Sequence, residues 1–221
     1  LGTNYYVATT GSDSNNGTAI GTPFLTLAKA VSKATTAGDT IFVRSGTYVT
    51  GSTVKITADG TAAKHIVLTA YRPDLINANS RPVFDFSGMS VTSGNIGISL
   101  SGVSYWDIYG LIIKGAGDNG MLLQSLCHHV TIEFCGFTRN RDTGLQIRSG
   151  SHHCLILNCD SYGNFDFGAG GENADGFAVK ERGLGSGNVI RGARSFDNAD
   201  DGFDFWQAPA GVTVINSWSF H

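Results

Sequence analysis

Residues 106–124, WDIYGLIIKGAGDNGMLLQ, read as a short apolar strand, a small corner, an Asp-containing turn closed by Gly120, and a second apolar strand. The same grammar returns at 130–147 (VTIEFCGFTRNRDTGLQI), from Cys154 through NADGFAV (173–179), and at 188–206 (NVIRGARSFDNADDGFDFW). The anchoring glycines Gly120, Gly144, Gly176 and Gly202 stand 24, 32 and 26 residues apart. A unit of that length, with two or three short strands, cannot bury its own apolar side and has to stack on its neighbours. The pattern predicts an all-β chain wound as a parallel β-solenoid. A sandwich or barrel would not need in-phase repetition.

Stacking fixes which residues meet. Equivalent positions on successive coils lie about 4.8 Å apart, so Asn140, Asn164 and Asn198 are expected to form an amide ladder. Cys135 and Cys159 each precede their Asn by five residues and should stack, either as thiols or as a disulfide. The start of the chain differs. The stretch 21–49 is expected to open a helix at Thr22 and Pro23, to carry Leu25, Leu27, Ala28, Val31 and Ala34 on one stripe, to stop at Gly38, and to enter a strand at Thr40 to Val43. Such a helix would cap the open apolar end of the first coil. One domain over 1–221 is expected, with the cap at about 1–40 and coils over about 40–221. The last stretch, 209–221, begins another coil with Val212, Val214 and Ile215 and has no polar cap, so either something else is expected to cover it or these residues are expected to be part of a longer protein.

Composition narrows the function. The 221 residues carry 30 glycines against 4 prolines without a Gly-X-Y period, which indicates many tight turns. A net charge of −3 without clustered Lys and Arg argues against nucleic acid as a partner. No apolar run is long enough for a membrane helix, and no charged and apolar leader stands at the first residues. The four cysteines contain no CxxC pair and read as buried small apolar residues rather than metal ligands.

The informative cluster is acidic. Asp175 directly precedes Gly176 and Asp201 directly precedes Gly202, so the two share one position on neighbouring coils, with Asp200 before Asp201 and Asp204 two residues past Gly202. Four carboxylates at that range repel unless they share protons or hold a cation, and hard oxygens without His or Cys suit calcium. The single acids Asp118 and Asp142 of the earlier turns read as ordinary turn residues. The coil between Gly144 and Gly176 carries about eight extra residues around Phe165 and Phe167, a loop expected either to wall a groove or to cover its own base.

The run 170–206, GGENADGFAVKERGLGSGNVIRGARSFDNADDGFDFW, together with 5–31, YYVATTGSDSNNGTAIGTPFLTLAKAV, resembles the family 9 polysaccharide lyases, pectate lyases built on a right-handed parallel β-helix. The resemblance implies that Asp175, Asp200, Asp201 and Asp204 hold a catalytic Ca2+. It also implies β-elimination on polygalacturonate, an acidic polysaccharide, in a secreted or periplasmic monomer. The family's base lysine lies in a GNGNGFKLGG-like stretch about thirty-five residues past the last aspartate, which would be near position 240. The resemblance therefore implies that these residues are the N-terminal part of a larger enzyme. Lys180 reads as a solvated or substrate-facing charge, and Lys180, Arg182 and Arg191 as candidate contacts for the polyanion. His128, His129, His152 and His153 form two pairs at a spacing of 24, read as corner residues with a transition-metal site as the alternative. Two other functions fit the fold: a glycoside hydrolase, against which the absence of a Gly-His-Gly segment counts, and a non-catalytic calcium-stabilised carbohydrate-binding or adhesin solenoid.

Overall fold

A computed structural model describes residues 2–209 and 211–221; Leu1 and Ala210 lie outside the described residues. The chain winds through three parallel sheets of eight, six and seven strands. One full coil shows the path: Ser104–Tyr109 in the eight-stranded sheet, Ile112–Lys114 in the seven-stranded sheet, Met121–Gln124 in the six-stranded sheet, then His128–Glu133 back in the first. Register follows the glycine spacing, with Thr131 opposite Leu155, Gly136 opposite Asp160 and Leu145 opposite Phe177. Strands this short are stable only because they pair within large sheets, the inner ones on both sides. Alternation sets the core: Trp106 and Ile108, then Val130 and Ile132, then Ile156 and Ile190 all point inward and are buried.

The asparagine ladder forms at the corner entering the six-stranded sheet. Asn140 Nδ2 donates to Asn164 Oδ1 at 3.1 Å, and Asn164 Nδ2 donates to Asn198 Oδ1 at 2.8 Å. All three amides are buried, so each bond replaces lost water with a protein partner. The ladder also explains the glycines beside it. A Cβ on Gly176 would stand 1.8 Å from Ser195 Oγ and 2.9 Å from Asn198 Nδ2, and one on Gly144 2.0 Å from Ser161 Oγ. Side-chain bulk at either position would break the corner. Cys135 and Cys159 are free buried thiols rather than a disulfide, and burial pushes the Cys159 thiol well above its ordinary range.

The capping helix starts later than the sequence predicts. Phe24 N donates to Tyr6 O at 2.8 Å and Phe24 O accepts from Ala8 N at 3.0 Å, so residues around Phe24 bridge to the first strand, Asn4–Val7, in extended form. The helix runs Leu27–Lys33, with Thr26 as N-cap accepting from Lys29 N at 3.1 Å. Its buried face is Leu27, Ala30 and Val31, followed by Ala34, while Leu25 and Ala28 are exposed. The Thr22–Pro23 start is thus corrected to Thr26, because the strand bridge holds the preceding backbone extended. The helix packs on Asn4–Val7, Thr40–Val43 and Val54–Ile56, covering the first coil. Among the described residues no helix is long and apolar enough to cross a membrane. In the last coil, Thr213–Ile215 and Trp218–Phe220 pair with the preceding strands, with Val214, Trp218 and Phe220 exposed.

Candidate metal and substrate groove

The turns entering the six-stranded sheet set two columns of side chains. Gly120 N bonds Thr143 O, Gly144 N bonds Asp175 O, and Gly176 N bonds Asp201 O, so Asn119, Thr143, Asp175 and Asp201 share one column. One residue earlier, Asp118, Asp142, Ala174 and Asp200 share the next. The columns edge a groove of about 540 Å³ lined by Asp118, Asp142, Lys180, Asp200, Asp201 and Asp204, among others.

Asp175, Asp200 and Asp201 each place a carboxylate oxygen within 4.8 Å of the others. Asp175 is almost fully buried; its Oδ2 accepts from Thr143 Oγ1 at 3.0 Å and from Lys180 Nζ at 3.0 Å. Burial pushes its carboxyl up to about 6 against the pull of Lys180, and the neighbouring Asp204 charge adds to the rise. Asp200 is raised by the same burial and by the charges of Asp201 and Asp204. Three hard oxygen donors brought this close, with the ionised forms of Asp175 and Asp200 disfavoured without a counter-charge, fit calcium by donor chemistry. Asp204 stands outside this trio. Its Oδ2 lies 2.5 Å from Lys180 Nζ and its Oδ1 accepts from Trp206 N at 2.7 Å.

Sequence reasoning missed Lys180's position. The strand Phe177–Val179 ends directly before it and aims the ammonium into the acids, where it is mostly buried rather than solvated. Burial alone would lower its pKa, but the bonds to Asp204 and Asp175 outweigh this and raise it. An ammonium held so firmly is a cation in the groove, not a proton acceptor. Arg182 is exposed, two residues further on, with Nε donating to Gln207 Oε1 at 3.2 Å. Arg191 is exposed on Val189–Arg191 in the eight-stranded sheet, away from the groove. The second groove cation is instead Arg148, 3.1 Å from Glu181 Oε1.

The earlier turns are more than turns. Asp142 is pushed up to about 6 by burial, against the help of the Thr143 N–H, and the adjacent Asp118 carboxyl raises it further. Both line the groove, so the acidic row extends two coils beyond the trio, interrupted only by Ala174. Each brings one acid per coil, and only the stacking reveals the pair. The long loop contributes Glu172 and Asn173 to the groove wall, while Phe165 and Phe167 pack against each other at 4.7 Å, with the Arg141 guanidinium 4.5 Å from the Phe167 ring.

The chain is thus a three-sheet parallel β-helix with a carboxylate trio at the edge of its six-stranded sheet. Residues 5–221 match the family model described as Pel9A-like, right handed beta helix region, and the chain belongs to that family. Pectate lyase L of Dickeya chrysanthemi is 35% identical over 226 residues, covering 98% of this chain and 50% of that protein. Pectate lyase PEL9 of Emericella nidulans is 38% identical over 220 residues, covering 94% and 50%. The crystal structure of pectate lyase Pel9A superposes with a TM-score of 0.87 at 33% identity, covering 97% of this chain and 53% of that one. The chain spans about half the length of these relatives.

Proposed function

We propose that this chain carries the metal and substrate groove of a calcium-dependent pectate lyase, which cleaves polygalacturonate by β-elimination. The observation that carries the reading is the carboxylate trio of Asp175, Asp200 and Asp201 at one groove edge, in a chain of the Pel9A-like family. The similarity to proteins named pectate lyase supports the substrate class. Asp175, Asp200 and Asp201 would hold the ion, with Asp204 joining them once it leaves Lys180.

Bound calcium would supply a positive centre that neutralises a uronate carboxylate and stabilises the negative charge developing when the C5 proton leaves. The chain's own residues prepare for this. An acidic groove repels a polyanion, so Lys180 and Arg148 supply fixed positive charge in its lining, and the exposed Arg182 would add to it two residues further on. Loss of the C5 proton with departure of the C4 oxygen leaves an unsaturated sugar, and no water enters the bond. We assign the reaction to an extracellular or periplasmic monomer, since the polymer is too large to enter a cell intact.

The test follows absorbance of unsaturated uronide from polygalacturonate, using the full-length gene product with calcium and with a chelator. Signal that needs calcium and disappears in Asp201→Ala is expected. Folded protein silent in both conditions would overturn the lyase reading, and saturated reducing ends would mark a hydrolase.

A further inference from the structure

The corner between the six- and eight-stranded sheets carries a second polar cluster, none of which lines the acidic groove. His128 and His129 stand on one coil, His152 and His153 on the next, joined by a bridge between His128 and His152. In each pair the Nδ1 atoms are 2.9 Å apart and the ring planes cross at 86°. Between coils the rings stack, His128 on His152 at 4.9 Å and His129 on His153 at 5.2 Å. His129 and His153 have φ of 53° and 51°, the left-handed region that turns each second imidazole back toward the first. The same unfavourable backbone recurring on two coils produces the same nitrogen pair twice. On the following coil Gly187 packs against His153 and ends the column.

Two imidazole nitrogens bound at about 2.05 Å to one ion, at a right angle, stand about 2.9 Å apart. A tetrahedral ion would want them near 3.3 Å. We infer that each histidine pair is a two-nitrogen site for a divalent transition metal, best suited to Cu2+ or Ni2+ with right-angle ligand geometry, with water completing the coordination. Ligand atoms on one ion stand at most about 4.1 Å apart, and among the described residues no three of these imidazoles bring their nitrogens within 4.8 Å of one another, so an ion takes one pair and not all four rings. Repulsion from the first ion then weakens the second. On binding, the Nδ1 proton shared within a pair moves to Nε2 of the same ring, so no oxidant or net charge transfer is required. Imidazole selects this borderline class while the carboxylate trio selects hard calcium, so the two sites do not compete.

The test titrates the calcium-saturated full-length protein with Cu2+, reading nitrogen splitting by electron paramagnetic resonance and affinity by chelator competition. One tight ion with a two-nitrogen pattern is expected, followed by a weaker second ion, with Zn2+ binding less tightly. The double variant His129→Asn with His153→Asn keeps a residue that tolerates positive φ and leaves one imidazole per coil. It should lose the two-nitrogen pattern and at least about tenfold in affinity. His128→Asn with His152→Asn should do the same, and circular dichroism confirms that both remain folded. Wild-type affinity no higher than that of either folded double variant would overturn the proposal, as would a four-nitrogen pattern from a single ion.

Discussion

Lys180 Nζ lies 2.5 Å from Asp204 Oδ2, and the same ammonium reaches Asp175 at 3.0 Å. One lysine therefore acts as the internal cation of the acid cluster. On the proposed reading, a calcium ion entering the trio would compete with it for Asp175 and release Asp204. Replacing Lys180 with Met should cost the metal-free protein about 2 kcal/mol, since removing one partner strands buried carboxylates, with a discount for the lysine's residual exposure. Calcium should restore most of that loss. Thermal melts with calcium and with chelator check this: the calcium-induced rise in Tm should be larger in Lys180→Met than in wild type.

On the proposed reading, the raised Asp175 carboxyl should make calcium binding pH-dependent. Its pKa near 6, against 3.8 when exposed, means the folded protein holds this proton more tightly than the unfolded chain does. The metal-free fold is therefore favoured at low pH, and this contribution, on the order of 3 kcal/mol, is lost as pH rises from about 4 through 6. Calcium needs the ionised form, so its affinity should fall as pH drops below about 6. Calorimetric titrations at pH 5 and pH 7 should differ by about tenfold or more in Kd; equal affinities would exclude Asp175 from the ion's ligands.

Asp175→Asn separates the metal role from a structural one. The amide keeps shape and can still accept from Thr143, while the desolvated charge is gone. By the same linkage, the neutral variant should be more stable than wild type in chelator at pH 7, by up to about 3 kcal/mol, and calcium-induced stabilisation should vanish. A large loss of stability in chelator would instead assign Asp175 to holding the fold through Lys180.

Asn164→Ala tests the ladder. The amide donates to Ser161 Oγ and Asn198 Oδ1 and accepts from Asn140 N and Nδ2, all at a buried corner. Its loss orphans several buried polar groups and should cost about 3–4 kcal/mol, read as a lower urea midpoint. Because this corner carries Thr143 and Asp175, calcium affinity should fall with it.

What was legible in the sequence was whatever repeats. The Gly120, Gly144, Gly176 and Gly202 spacing determined the solenoid, the stacked asparagines and the alignment of Asp175 with Asp201, because a coil that cannot bury itself forces equivalent residues together. Local competition was not legible: the bridge from Phe24 to Tyr6 and Ala8 moved the helix start to Thr26. Nor were the partners of long side chains. Only the tertiary structure decided that Lys180 folds back onto Asp204, that Asp118 and Asp142 join the groove, that Arg148 takes the place expected of Arg191, and that the paired histidines bring their Nδ1 atoms to 2.9 Å. Backbone stacking follows from periodicity, whereas the direction of a flexible side chain follows from the charges and volumes around it, which exist only once the coils have closed.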